Sequence, residues 1–211
     1  MPQALILIAD GTEETEFVAT YDVLVRAGFK VKSVGVNLKN DFATCSRNIR
    51  IIPDEHDIES FKYDTYNPEY DVLILPGGGP GAATFCASEV VLMTIANFRA
   101  RDKWVAAICA GTTAIVVDTS SSYGAPAGVG TVTSHPSVEA EIKAKGWHYS
   151  QDRCVVDKDY KLITSRGPGT ALLFALSIVE ELCGKEKRKE VEGPMLMPAS
   201  DSMKETPDSD G

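Results

Sequence analysis

The feature that most constrains the fold of this chain is the segment K-W-V-A-A-I-C-A-G-T, which spans Lys103–Thr112. The five residues before Cys109 form a continuous apolar run, which is typical of a short strand buried on both faces of a parallel sheet. Small residues follow the cysteine, and the pattern up to Val117 predicts a helix. A side chain between such a strand and such a helix corresponds to a nucleophile elbow, a tight turn at the carboxyl end of the sheet.

The position of Cys109 predicts a reactive thiol. The free N–H groups and the positive end of the helix that follows it favour the thiolate over the thiol. An ordinary thiol has a pKa of about 8.5, so lowering that pKa by about two units would make the group mostly ionised at neutral pH. The alternative is a small buried apolar residue, which is the usual role of a single cysteine in a strand. The place of Cys109 at the elbow favours the reactive role.

Length and composition exclude several classes of protein. The 211 residues, 44% of them hydrophobic, suffice for one α/β domain, and a net charge of -9 argues against nucleic acid or an anionic membrane as the main partner. No apolar stretch approaches the roughly 18 residues of a membrane span, and the first residues show no secretory signal. Five widely spaced cysteines indicate a reducing compartment rather than a disulfide framework. We expect a cytoplasmic protein, with the nucleus left open as a second compartment, and no metal or cofactor.

Strands and helices alternate along most of the chain. The predicted strands are Leu5–Ala9, Val31–Val36, Arg50–Pro53, Val72–Leu75, Trp104–Ile108, Thr131–Thr133, Cys154–Asp157 and Lys161–Thr164. The predicted helices are Glu13–Arg26, one turn around Ile58–Phe61, Ser88–Ala100, Thr112–Val117, Val138–Lys145 and a helix from Gly167-Pro168-Gly169 to Leu182, with loops at Lys39–Asn48 and Asp118–Gly130. This order predicts an α/β fold with a doubly wound, mostly parallel sheet between helices. Residues 1–192 are assigned to one domain, and the acidic, proline-containing segment 193–211 to a disordered tail.

Ligands bind such folds at the carboxyl ends of the strands, and the first strand ends there in D-G-T-E-E-T-E. Negative charge at a helix N-terminus explains Glu13 and Glu14. Glu16 differs, because its helical face otherwise carries small apolar residues, namely Ala19, Val23 and Ala27. A carboxyl group on that face is desolvated, which raises its pKa and allows it to act as acid and base. Periodicity alone leaves open whether Glu16 has this role.

The strand Val72–Leu75 is followed by the glycine-rich run Pro76–Gly81, which lacks the pattern of a phosphate-binding loop. It is either a flexible turn or a place where the bare N–H groups of Gly77 and Gly78 approach a reacting atom, as in an oxyanion hole. The N–H group of Ala110, directly after the cysteine, is a second candidate donor.

His135 precedes a proline, which favours an extended backbone, and could either orient a group near the cysteine or hydrogen-bond a loop.

At these residues the chain resembles the DJ-1/PfpI superfamily, most closely its eukaryotic DJ-1 branch. The motifs that carry the resemblance are A-D-G-T-E-E-T-E, L-P-G-G, A-A-I-C-A-G, S-H-P and T-S-R-G-P-G-T, in this order, together with C-S-R at Cys45–Arg47. They extend from about Ala4 to Lys189. The resemblance implies a flavodoxin-like sandwich that usually forms a homodimer. The segment Asp118–Gly130 is longer than the corresponding connection in that family.

The resemblance also implies roles for individual residues. Cys109 corresponds to the reactive cysteine, Glu16 to a protonated carboxyl group that hydrogen-bonds its sulfur, and His135 to a nearby histidine. Gly78 and Ala110 correspond to the backbone amides that face an anion.

The activity that these residues favour is that of a glutathione-independent glyoxalase. It converts the 2-oxoaldehyde methylglyoxal to lactate (the D-lactate dehydratase type of lyase) through a thiolate hemithioacetal and a Glu16 proton shuttle. Deglycation of early methylglyoxal adducts on proteins would use the same residues. The main alternative is an oxidative-stress sensor or redox-dependent chaperone, in which Cys109 is oxidised and Glu16 stabilises the product. A cysteine peptidase or amidotransferase is a minor alternative, because peptidase relatives carry a histidine where this chain has Ala110.

Overall fold

The structure is a computed structural model that describes residues 1–59, 70–117 and 129–197. The strands in these ranges are β1 (Gln3–Ile8), β2 (Lys30–Gly35), β3 (Ala43–Thr44), β4 (Arg50–Ile51), β5 (Val72–Leu75), β6 (Trp104–Ile108), β7 (Thr131–Val132), β8 (His148–Tyr149), β9 (Cys154–Asp157) and β10 (Leu162–Ser165). The helices are α1 (Glu14–Arg26), α2 (Gly79–Ala87), α3 (Glu89–Ala100), α4 (Thr112–Val116), α5 (Glu139–Ala144), α6 (Ala171–Cys183) and α7 (Lys185–Glu192). Short 3-10 turns lie at Cys109–Gly111, Pro136–Val138 and Pro168–Thr170.

The main sheet has six strands in the order β2-β1-β5-β6-β10-β9. The first five strands run parallel, and β9 pairs antiparallel with β10 at the edge. Counting only the parallel strands along the chain, their order is 2-1-3-4-5, which is the flavodoxin-like arrangement. The predicted doubly wound, mostly parallel sheet is therefore confirmed.

Both faces of the sheet are covered, because alternate residues of the central strands enter different cores. In β1, Ile6 and Ile8 belong to one hydrophobic cluster, whereas Leu5 and Leu7 belong to the other. The first cluster includes side chains of α1 and α6, and the second includes side chains of α3, α4 and α5. Such double burial explains why the central strands are continuous apolar runs. Because β1, β5 and β6 pair in parallel, their carboxyl ends lie together at one edge of the sheet.

Several elements differ from the sequence prediction. Gly79–Ala87 is a helix, although the proline and glycine residues at its start indicated a turn. Helix α7 and the two-residue strands β3 and β8 were not predicted either. Proline fits the first turn of a helix, where its missing N–H group has no helical partner. The loop predicted at Lys39–Asn48 contains the short strand β3. Most of the loop predicted at Asp118–Gly130, residues 118–128, lies outside the described residues. The helical turn predicted around Ile58–Phe61 also falls partly outside them.

The folded body continues past the domain boundary that the sequence suggested. Residues 193–197 form turns after α7, and Met195 and Met197 pack against the first hydrophobic cluster. These five residues therefore belong with the body and not with the predicted tail. The rest of that segment, 198–211, lies outside the described residues.

Within the described ranges, no single helix is long and apolar enough to cross a membrane. The pair α2 and α3 meets the length and composition criteria together, but the two helices are bent by 80° at the break between them. Their large apolar side chains belong to the second hydrophobic cluster, namely Phe85, Val91, Ile95 and Phe98.

Candidate active site

Cys109 lies at the turn between β6 and α4 with a left-handed backbone, φ +61°. This conformation is rare for residues other than glycine and persists only where the surroundings hold it in place. Gly111 is part of that constraint, because a Cβ atom there would lie 2.4 Å from the carbonyl oxygen of Leu75. The predicted elbow geometry is present, and the cysteine keeps 9% of its surface exposed. The thiol is thus held at the edge of the sheet with a narrow opening to solvent.

Glu16 occupies the first turn of α1 and is fully buried. Its carboxyl oxygen Oε2 accepts a hydrogen bond of 2.7 Å from the N–H group of Gly77, while Oε1 has no hydrogen-bond partner in the part of the chain that the structure describes. The carboxylate of Glu13 caps α1 by accepting from the N–H group of Glu16 at 2.8 Å. Val23 and Ala27 on the same helical face are buried as well, so the apolar stripe does lie against the protein interior.

Burial raises the pKa of Glu16 from its ordinary value of 4.5 to about 7. The negative charge of Glu13 contributes to this increase in the pKa, whereas the hydrogen bonds with Gly77 and Cys109 reduce it. Burial dominates because an ionised carboxylate with one unpartnered oxygen has lost most of its hydration. A carboxyl group with a pKa near neutrality can both accept and return a proton at physiological pH.

Burial also raises the pKa of Cys109, to about 12, and the charge of ionised Glu16 contributes to this increase. The N–H groups of Gly78 and Ala110 lower it, but by less. The amides next to the elbow favour the thiolate as predicted, but burial and the charge of Glu16 act in the opposite direction and outweigh them. The thiolate of Cys109 and the carboxylate of Glu16 repel one another, so ionisation of one group disfavours ionisation of the other. Near neutral pH the two groups therefore keep at least one proton between them.

Two glycines bring the backbone close to the sulfur. A Cβ atom on Gly77 would lie 2.5 Å from Cβ of Cys109 and 2.6 Å from Oε2 of Glu16. Gly78 has φ +87°, and a Cβ atom there would lie 2.2 Å from the carbonyl oxygen of Gly11. No larger residue fits at either position without movement of the backbone. The run Pro76–Gly81 thus leads into helix α2 and is not a flexible turn. Of the two predicted donors, the N–H group of Gly78 faces Cys109, whereas that of Gly77 donates to Glu16.

The structure does not bring His135 into hydrogen-bond contact with Cys109 or Glu16. Its side chain is exposed, and Nδ1 lies 2.8 Å from the hydroxyl of Ser137 and accepts from the N–H group of the same residue at 3.2 Å. His135 caps the 3-10 turn that follows it. The loop-capping alternative therefore describes its observed contacts, and a role toward the cysteine stays a prediction.

Glu14 has a structural role that the sequence reasoning missed. Its buried carboxylate accepts hydrogen bonds from the hydroxyl of Ser46 and from the N–H group of Arg47, both at 2.8 Å. Burial opposes its ionisation, but hydrogen bonds from its own backbone, Ser46 and Arg47 lower its pKa. This residue fastens the C-S-R segment to α1 beside Glu16. The signal in the sequence was the C-S-R motif itself, which is far from Glu14 along the chain.

Comparison with known proteins places this site in a family. The family model described as DJ-1/PfpI matches residues 2–181. The chain belongs to the DJ-1/PfpI family. The resemblance that the sequence motifs indicated is thereby confirmed, and Cys109 lies at the elbow of a DJ-1/PfpI domain.

Two similar DJ-1 proteins and one solved structure extend this comparison. The Parkinson disease protein 7 homolog of Danio rerio is 40% identical over 195 residues, covering 92% of this chain and 97% of that protein. The glutathione-independent glyoxalase DJ-1 of Schizosaccharomyces pombe is 34% identical over 200 residues, covering 94% and 100%. A solved structure of Schizosaccharomyces pombe DJ-1 aligns with a TM-score of 0.80 at 32% identity, over 93% of this chain and 100% of that one. The solved structure is therefore matched over its whole length.

Proposed function

We propose that this protein is a glutathione-independent glyoxalase that converts methylglyoxal to lactate. The observation that carries the proposal is the buried pair of Cys109 and Glu16, held together across the backbone of Gly77. One member is a nucleophile and the other is a proton carrier with a pKa near neutrality. The proposal draws further support from the relative in Schizosaccharomyces pombe that is named a glutathione-independent glyoxalase.

In the first step the sulfur of Cys109 attacks the aldehyde carbon. Glu16 takes the thiol proton as the C–S bond forms, and returns it to the aldehyde oxygen to give a neutral hemithioacetal. The N–H groups of Gly78 and Ala110, which face the sulfur, would stabilise the negative charge that develops on that oxygen. Ionised Glu16 therefore overcomes the high pKa of the thiol at the moment of attack, so a standing thiolate is not required.

In the second step the carboxylate of Glu16 removes the hydrogen from the carbon that bears the sulfur. The electron pair moves into the bond between the two carbons to give an enediolate, and the hydroxyl proton on the sulfur-bearing carbon passes to the oxygen of the neighbouring, former ketone carbon. Glu16 then delivers the proton that it removed to that neighbouring carbon, which leaves a carbonyl group on the carbon that bears the sulfur. The product is a thioester of lactate on Cys109. Water then cleaves the C–S bond, which releases lactate and restores the thiol, so the overall reaction adds one water and needs no oxidant or reductant.

The test is methylglyoxal turnover by purified, metal-stripped protein in the absence of glutathione, with lactate identified by its optical form. Steady production of lactate over many turnovers supports the proposal. Consumption of one equivalent of methylglyoxal per Cys109, without lactate, would contradict it. The same assay on a glycated peptide, with free methylglyoxal removed by a scavenger, tests whether deglycation occurs directly.

A redox sensor is the second candidate function, and the same amides support it. Two equivalents of a peroxide, each reduced to water or an alcohol, would oxidise Cys109 to the sulfinate and place oxygens where the N–H groups of Gly78 and Ala110 and a protonated Glu16 can donate to them. Burial of the thiol slows its oxidation and its attack on an aldehyde alike, so the observation that favours the enzyme is Glu16, a proton carrier that oxidation of the sulfur does not need. Sulfinate formation in a wild-type protein that makes no lactate would instead favour the sensor.

We further propose that the protein is a homodimer formed through α1 and the β3–β4 hairpin. Apolar side chains are exposed there, with Val18 51%, Ile49 53% and Ile52 77% exposed. Glu14 ties the hairpin to α1, so these side chains belong to one rigid part of the surface. An exposed apolar area on a rigid surface is typical of a protein–protein interface.

Sedimentation velocity is expected to give a mass near twice 22.7 kDa. The double variant Val18→Glu with Ile52→Glu should shift the mass toward the monomer, because each substitution would bury a charge in the interface. A wild-type monomer at micromolar concentration would contradict the homodimer. A dimer that the double variant does not affect would show that its interface lies elsewhere.

A further inference from the structure

Three side-chain and backbone groups behind the elbow form a continuous hydrogen-bonded chain. The sulfur of Cys86, in the last turn of α2, lies 3.3 Å from the hydroxyl of Thr113, in the first turn of α4. The same hydroxyl donates to the carbonyl oxygen of Ala110 at 2.7 Å. Ala110 is the residue whose N–H group faces the sulfur of Cys109. The chain therefore runs from a helix end to the carbonyl group of the residue that follows the nucleophile.

The direction of both bonds follows from counting protons. A threonine hydroxyl carries one hydrogen, and the carbonyl of Ala110 can only accept, so Thr113 donates to it. The lone pairs of the Thr113 oxygen are then left to accept, and the thiol of Cys86 is the donor. Burial raises the pKa of Cys86, which keeps its proton on the sulfur. The chain is a relay of two donors that ends on the elbow.

This relay connects the two backbone segments whose N–H groups face Cys109. One of the amides belongs to Gly78, which is the N-cap of α2, and the other to Ala110 in the elbow. Cys86 lies at the far end of that same α2. The left-handed backbone of Cys109 requires surroundings that hold it, and a bond to the carbonyl of the next residue restrains the adjoining peptide.

We propose that Thr113 and Cys86 are positioning residues, which hold the amides of Ala110 and Gly78 at the distance from Cys109 that the anionic sulfur or substrate oxygen needs. Neither side chain touches the reacting atoms, and neither is required by the mechanism described above. The importance of this positioning for catalysis rests on the proposed glyoxalase function. Its effect on the thiol itself does not, because the amides act on the sulfur without any substrate.

The test measures alkylation of Cys109 by iodoacetamide from pH 5 to 9, with the modified peptide quantified by mass spectrometry. Thr113→Val keeps the shape of the side chain and removes the hydroxyl, and we expect the rate at pH 7 to fall about 5- to 10-fold, the scale of one lost hydrogen bond. Thr113→Ser keeps the hydroxyl and should restore most of the rate. Cys86→Ala should lower it about 2-fold, because the bond from Thr113 to Ala110 remains.

Thr94→Val is the matched control, because Thr94 is equally buried and its hydroxyl donates to the carbonyl of Val90 at 2.7 Å, away from Cys109. A folded Thr113→Val variant that reacts within 2-fold of wild type would overturn the proposal. If that variant does not fold, Cys86→Ala decides, and an unchanged rate there overturns the relay. Slower alkylation in a protein whose wild type makes no lactate would leave the relay standing and remove the glyoxalase function.

Discussion

Cys109→Ser is expected to abolish methylglyoxal turnover while the protein stays folded. The substitution is nearly isosteric, so the elbow and its contacts are retained. The catalytic loss has a chemical cause, because an alcohol gives up its proton to Glu16 far less readily than a thiol in the same place and is the weaker nucleophile. Lactate formation by the variant should be undetectable above the uncatalysed rate, with an unchanged melting temperature as evidence of folding.

Cys183→Ser provides the control for this experiment. Cys183 is half-buried and is the last residue of α6, so it does not belong to the elbow. It should tolerate serine with most activity retained. Activity of the Cys109→Ser protein within a few-fold of wild type would remove Cys109 as the nucleophile. Equal losses in both variants would instead indicate that cysteine replacement damages the protein generally.

Glu16→Gln is expected to lower turnover by about 10²-fold or more, the scale of losing a general acid–base group. Glutamine can still accept the hydrogen bond from Gly77 through its carbonyl oxygen, which leaves its NH₂ group to donate toward Cys109. It cannot carry a proton between two carbons. It also removes the carboxylate charge that raises the pKa of Cys109, so alkylation of the thiol by iodoacetamide at pH 7 should be retained or increase.

Turnover and alkylation should be measured in one preparation from pH 5 to 9. Lost turnover with retained alkylation supports the proton shuttle. A parallel loss of both would mean that Glu16 acts mainly by setting the state of the sulfur. Unchanged turnover would show that the proposed mechanism is wrong, and the sensor function would then be favoured.

The same substitution should change how stability depends on pH. The folded-state pKa of Glu16 lies above its unfolded value, so the stability that this group contributes is present below about pH 4.5 and is lost as the pH rises through about 7. Glutamine does not titrate. Between pH 5 and 8 the wild type should therefore lose roughly 2 to 3 kcal/mol of unfolding free energy relative to Glu16→Gln, as measured by urea denaturation. Parallel curves for the two proteins would mean that the carboxyl group is not desolvated.

Local patterns in the sequence were sufficient for the sheet and for the elbow. The strands Val72–Leu75 and Trp104–Ile108 have the bounds predicted for them, because double burial in a parallel sheet requires a continuous apolar run and leaves little choice of ends. The end of α1 was also predictable from the local sequence, because Gly28 takes the left-handed conformation, φ +87°, that terminates a helix. The family motifs reached further and indicated which of five cysteines lies at the site.

Local patterns failed where the decisive partner is distant in sequence. Helix α2 was missed because its glycines and prolines indicate a turn, and α7 because it is almost wholly charged. That helix is held by Arg188, whose guanidinium group is buried between Glu180 of α6 and Glu192, at 2.8 and 2.7 Å. An ion pair between two helices leaves no periodic signal in either of them.

The sequence by itself thus determined the sheet, the position of Cys109 at its edge and the apolar face that carries Glu16, because these depend on burial patterns within single elements. Only the tertiary structure decided the chemistry of the pair. The N–H group of Gly77 meets Glu16, and the charge of Glu16 raises the pKa of a thiol that its own helix would lower. Desolvation and charge–charge interactions depend on distances through space, and the fold sets those distances between residues far apart along the chain.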